Sequence, residues 1–178
     1  LEIANTYIAD EAFEKAIDPL VTLSSQKGAS ALYPQAYQKL GIAYFNLNKN
    51  DASLEQFKKL ISQYPNSPEA EASVEYVRNI FIEQQKPQEY ISFMEANGKE
   101  LSTLEADSVT YKSAMVRFEM KDNTGAEAGF KSYIQSFPKG RYAVEANYFL
   151  AEISLLQKMN QEALKYYVAV ANEAPNKY

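Results

Sequence analysis

Residues 37–65 read YQKLGIAYFNLNKNDASLEQFKKLISQYP, and the spacing within that stretch returns along the rest of the chain. Apolar residues recur at intervals of three and four on both sides of Asn48-Lys49-Asn50-Asp51, so one helix ends and a second begins inside it. The polar tetrad supplies the turn, and Asp51 is expected to cap the second helix. Pro65 closes that helix, because a ring without an amide hydrogen cannot continue the turn.

Outward from this hairpin the pattern repeats. Phe57, Phe93, Phe130 and Tyr167 follow one another at 36, 37 and 37 residues, and Leu20 lies 37 before Phe57. Four residues before these anchors stand Ala16, Ser53, Glu89, Ala126 and Ala163, of which all but Glu89 are small. Eight residues after them come Pro65, Pro138 and Pro175, with Gly28 and Leu101 in the matching places. Ile3-Ala4 and Tyr7 lie 37 residues before Leu40-Gly41 and Tyr44, so the chain is expected to open inside a helix and to be part of a longer array.

The expected helices cover residues 2–8, 11–25, 34–47, 51–64, 68–84, 87–97, 107–120, 124–136, 142–157 and 160–173, and no alternating strand pattern is found. Lys86-Pro87 places proline at a helix's first turn, where its missing donor costs little. Lys121-Asp122-Asn123-Thr124-Gly125 supplies another turn. Pro19 falls inside the second helix, where it removes one hydrogen bond and is expected to bend it.

Composition narrows the chemistry. The 178 residues hold no His, Cys or Trp, which excludes imidazole triads, thiol nucleophiles and zinc sites built on His or Cys. A net charge of −5 argues against a phosphate-binding surface, and the 14 Tyr and 9 Phe lack the basic interleaving of a nucleic-acid stacking platform. Gly125 and Gly129 are not followed by the Lys-Ser or Lys-Thr of a phosphate loop. Glu69, Glu71 and Glu75 read as a solvated face. No apolar run is long enough to span a bilayer, and Leu1-Glu2-Ile3-Ala4 carries no export signal. No catalytic, metal or cofactor residue emerges, and the chain is read as a non-enzyme.

Tyr37, Leu40, Gly41, Tyr44, Ser53, Phe57, Leu60 and Pro65 resemble the tetratricopeptide repeat nearly whole. Tyr111, Ala114, Phe118, Ala126, Phe130 and Pro138 resemble it again, as do Leu150, Ala151, Ala163, Tyr167, Val170 and Pro175. A third copy, with Tyr76, Ile80 and Phe93 but Val77 and Glu89 at small positions, is degenerate. The resemblance implies an all-α fold, a right-handed solenoid of about five antiparallel helical hairpins forming one domain over 1–178. Its repeats fall at about 1–33, 34–69, 70–106, 107–143 and 144–178.

The resemblance also implies a protein or peptide partner, held in a groove lined by the first helix of each hairpin. The family's groove positions fall on Gln35, Gln38, Ile42, Phe45 and Asn46, then on Glu71, Val74, Arg78, Phe81 and Ile82. They continue on Val109, Lys112, Val116, Glu119 and Met120, and on Glu145, Tyr148, Glu152, Leu155 and Leu156. The candidates for partner contact are therefore Gln38, Phe45, Asn46, Arg78, Phe81, Lys112, Glu119, Tyr148 and Glu152, a set of mixed charge. Phe45, Phe81, Tyr148 and Leu155 serve equally well as packing against a neighbouring hairpin.

The phrases Tyr64-Pro65-Asn66-Ser67-Pro68-Glu69-Ala70 and Phe137 through Ala146 resemble a bacterial branch of the family common among periplasmic and outer-membrane-assembly proteins. A scaffold in an envelope assembly, periplasmic or outer-membrane-associated, is the expectation, with a cytoplasmic location as the alternative. The competing reading is a structural spacer within a larger repeat protein, with no ligand of its own.

Overall fold

The computed structural model describes residues 1–173, which form ten α-helices and no strand. In chain order they are α1 (Glu2–Ala9), α2 (Phe13–Ser25), α3 (Tyr33–Asn46), α4 (Asn50–Gln63) and α5 (Pro68–Glu83), followed by α6 (Pro87–Ala96), α7 (Thr103–Glu119), α8 (Asn123–Ser136), α9 (Ala143–Leu156) and α10 (Asn160–Asn172). Every helix expected from the sequence is present, and a 3₁₀ turn at Ser30–Leu32 leads into α3. Pro175, expected to close the last helix, lies outside the described residues, as do Ala174 and Asn176 to Tyr178.

Two local expectations are corrected. Asp51 does not cap α4, because that helix starts one residue earlier with Lys49 in the capping position; Asp51 sits in the first turn, where its charge favours the helix N-terminus. Helix α7 begins at Thr103, a full turn before the expected start, because Ser102 accepts the Glu105 amide in a Ser-x-x-Glu capping box. Helix α2 runs through Pro19 as one element from Phe13 to Ser25.

The turn inside each hairpin is built the same way. Glu11, Asn48, Gln85, Lys121 and Lys158 all adopt positive φ, between 55° and 62°, and stand 37, 37, 36 and 37 residues apart. Each ends a helix by donating its amide to the carbonyl three residues back, as Asn48 does to Phe45 and Lys121 to Phe118. The next residue donates five back, as in Lys49 to Tyr44, Asp122 to Arg117 and Met159 to Ser154. This pair of bonds satisfies carbonyls that the helix end would otherwise leave open.

None of the five turn residues is glycine, although the left-handed region costs an ordinary residue roughly 1–2 kcal/mol. Exchanging Gln85, Lys121 or Lys158 for glycine is expected to stabilise the chain by about 0.5–1 kcal/mol each, after glycine's own unfolded-state entropy is subtracted. Denaturant midpoints check this, and a midpoint unchanged in all three variants would show that the turns carry no such strain. Asn48 should gain less, since Asn tolerates the region.

The chain divides within α5 into two compact units, Leu1–Ile80 and the residues from Phe81 onward. In the first, Ala4, Ala16, Leu20 and Leu40 are buried together, flanked by Tyr7, Ile8, Ile17 and Tyr44. Gly41 lets α3 and α4 close up: a Cβ there would stand 2.4 Å from the Phe57 ring. The Ser53 hydroxyl donates to the Gly41 carbonyl at 2.8 Å. Phe57 stacks on Tyr76 at 5.2 Å, and Phe45 meets the same ring edge-on at 5.3 Å.

The second unit repeats that aromatic arrangement 73 residues later. Phe130 stacks on Phe149 at 5.5 Å and Phe118 packs on it at 4.8 Å. Around them are buried Tyr111, Ala114, Ala126, Tyr133, Ala146, Leu150 and Ile153. Small residues let paired helices approach, and aromatic rings fill the wedge they leave.

Candidate functional site

The five turn residues fix the register of each hairpin independently of side-chain type. Counting five residues onward gives Ala16, Ser53, Tyr90, Ala126 and Ala163, each at most 1% exposed. Counting twelve back gives Ala36, Ser73, Val109 and Ala146, all equally buried. Tyr90 and Met94, not Glu89 and Phe93, are therefore the third hairpin's core residues. The one-residue shortening falls after Met94, in the connection from α6 to α7.

This register moves two sets of groove candidates by one position. In α5 the equivalents of Gln38, Ile42, Phe45 and Asn46 are Glu75, Asn79, Ile82 and Glu83, one beyond the expected residues. Phe81 corresponds to Tyr44 and is a core residue, 1% exposed and tilted against Tyr90 at 6.1 Å, so its ring is not available to a partner. Arg78 occupies the position of Gly41 instead of a groove position, with its guanidinium 3.2 Å from the Glu75 carboxylate. In α7 the groove positions are Ser108, Tyr111, Met115, Phe118 and Glu119, which displaces Lys112 from the face.

Gln38, Phe45, Asn46, Tyr148 and Glu152 keep their register positions, and Glu119 moves from the position of Phe45 to that of Asn46. In the first unit, Gln38 is half-buried with its amide 3.4 Å from the Glu69 carbonyl, and Asn46 is exposed, donating to Ile42. Phe45 is half-buried against Tyr76, so packing accounts for much of its ring. In the second, Glu119 is exposed. Tyr148 lies edge-on to Phe149 and Tyr167, and Glu152 accepts the Tyr167 hydroxyl. That bond, with burial as a second cause, pushes the Tyr167 phenol up to about 12.

Helices α7 and α9 of the second unit leave a cleft between them of about 530 Å³, lined by Met115, Phe118, Glu119, Lys121, Phe149 and Leu156, with Asn123 at its edge. Of its lining Leu156 is 67% exposed, and beside the lining in sequence Leu155 is 45% and Met120, between Glu119 and Lys121, 69% exposed. Large apolar side chains gathered in this way on a surface mark a contact site more often than scattered ones do. Met115 and Phe149 were not singled out from the sequence, and Phe118 was read there as a repeat-signature residue and not as a groove position. Counting back from Lys121 by the same number of residues as from Asn48 finds Met115 and Phe118.

A buried polar cluster fixes the helices that flank the cleft. Asp107 on α7, 4% exposed, accepts the Tyr133 hydroxyl of α8 at 2.5 Å and the Arg141 amide at 2.7 Å. The Tyr133 oxygen in turn accepts the Tyr142 amide at 3.0 Å. Burial first, and the Asp107 acceptor second, push the Tyr133 phenol far above the ordinary tyrosine range. Tyr142 stacks on Tyr111 at 4.4 Å, joining the start of α9 to α7.

Residues 35–67 and 109–140 match the family model for the tetratricopeptide repeat, and they coincide with the hairpins formed by α3 with α4 and by α7 with α8. No curated protein matches the chain. Among solved structures it is similar to a MamA protein at 18% identity and a TM-score of 0.49, over 96% of this chain and 87% of that one. A MamA fragment from Desulfovibrio magneticus RS-1 is similar at 14% identity and a TM-score of 0.45, over 96% and 90% of the two chains.

Proposed function

We propose that this chain is a non-catalytic protein-interaction scaffold that holds a partner protein or peptide on the face formed by α7 and α9. The supporting observation is the cleft between those helices, floored by Met115, Phe118 and Phe149 and bordered by exposed Leu156 and Met120. The two tetratricopeptide matches agree with the reading, since stacked helical hairpins present the first helix of each pair as a contact surface. The groove is largely pre-formed, so a ligand pays little to order it.

The test is capture with the chain as bait, beside a variant carrying Met120→Gln and Leu156→Gln. Both residues are more than half exposed, so folding should be unchanged, which circular dichroism checks. Proteins held by the parent and lost by the variant are the expected result. A captured set that ignores the two changes would remove the groove from the proposal, and an empty set would favour the spacer. A place in a bacterial envelope assembly belongs to the same proposal, on the strength of the Tyr64–Ala70 and Phe137–Ala146 phrases; recovery in the cytoplasmic fraction alone would remove it.

A further inference from the structure

The corrected register changes the charge of the candidate face. Residues at groove positions of the second unit are Ser108, Tyr111, Met115, Phe118 and Glu119 on α7 and Glu145, Tyr148, Glu152, Leu155 and Leu156 on α9. Every ionised side chain at those positions is a glutamate. Among the described residues, the one cation that lines the cleft, Lys121, comes from the turn that ends α7. Lys112, which gave the expected groove its mixed charge there, stands off this face.

We propose that this face takes a basic amphipathic segment of a partner protein, with an apolar side chain in the Met115–Phe118–Phe149–Leu156 cleft and Lys or Arg side chains over Glu119 and Glu152. The proposal rests on the groove reading above and adds the chemistry of the occupant. An apolar cleft alone does not choose between partners, but like charges set opposite each other oppose binding and unlike charges steer it. Glu119 is exposed at the cleft, and Glu152 lies one helical turn before Leu156 on the same side of α9. Glu152 already accepts the Tyr167 hydroxyl, yet a carboxylate keeps further acceptor sites for a cation. Half-buried Met115 in the cleft and exposed Met120 beside Glu119 add a surface that adapts to side chains of different shape.

The test uses two fluorescent amphipathic peptides of one pattern of leucine and phenylalanine, one with lysine and one with glutamate at the polar positions. At low salt the lysine peptide is expected to bind about fivefold to tenfold more tightly, the range that a pair of partly exposed ion contacts provides, and added salt should erase the difference. Glu119→Gln with Glu152→Gln should remove most of the preference, while Glu95→Gln with Glu100→Gln, which changes net charge equally on and just after α6 and not on α7 or α9, should leave it intact. Equal binding of both peptides, or a preference that follows net charge alone, would overturn the assignment of a basic partner. If both peptides still weaken in Leu156→Gln, the groove reading survives that result. Binding that ignores Leu156, or no binding at all, overturns both.

Discussion

Replacing Phe130 with alanine is expected to lower the unfolding free energy by about 3–5 kcal/mol, the range for truncating a fully buried aromatic ring. The ring is 0% exposed and meets three others: it stacks on Phe149 and packs against Tyr111 and Phe118, and Phe118 also touches Phe149. Truncation therefore opens a void under α7, α8 and α9 at once. Two of those helices bear the cleft, so peptide binding should weaken along with stability. Urea denaturation of the variant gives the number. A loss below about 1 kcal/mol would mean that the surrounding rings collapse into the space instead of leaving it empty.

The second large effect is expected at Asp107. Changing it to alanine leaves the Tyr133 hydroxyl and the Arg141 amide without their acceptor, at an expected cost of about 2–5 kcal/mol. Tyr133→Phe should cost less, and the double variant should fall short of the sum of the two, because both residues belong to one network. Strict additivity would show that the hydrogen bond between them contributes nothing. The alkaline limb provides a separate reading. A phenol whose folded value is raised contributes stability that is fully present below the unfolded tyrosine value, about 10, and is lost as pH climbs toward the folded one. Parent stability should therefore decline above that pH, and Tyr133→Phe should decline less.

Much of the architecture was legible because hairpin packing needs particular side-chain sizes at a fixed period. Gly41 beneath Phe57, and the Pro65 and Pro138 stops, are direct records of close helix approach and helix termination. The third hairpin misled because Tyr90 fills a position that is Ala or Ser in the other four, its hydroxyl reaching Glu105 at 2.6 Å. With a large residue there, Glu89 and Phe93 align better by type than the true core pair of Tyr90 and Met94. That slip of one residue turned Phe81 from core into groove and Arg78 into a contact. The opposite slip in α7 did the same to Lys112. The capping box at Ser102 and Glu105 was present in the sequence and marks the true start of α7.

Side-chain chemistry plays little part in the five left-handed turns, where main-chain bonds close the helix ends and Glu, Asn, Gln and Lys are all accommodated. The chain contains no cysteine. Single thiols introduced at Glu11, Asn48, Lys121 or Lys158 would thus be unique attachment points, placed identically on successive hairpins. Spin labels paired at 11 and 48, or at 121 and 158, would measure the step from one hairpin to the next, and show whether an occupant of the cleft widens it.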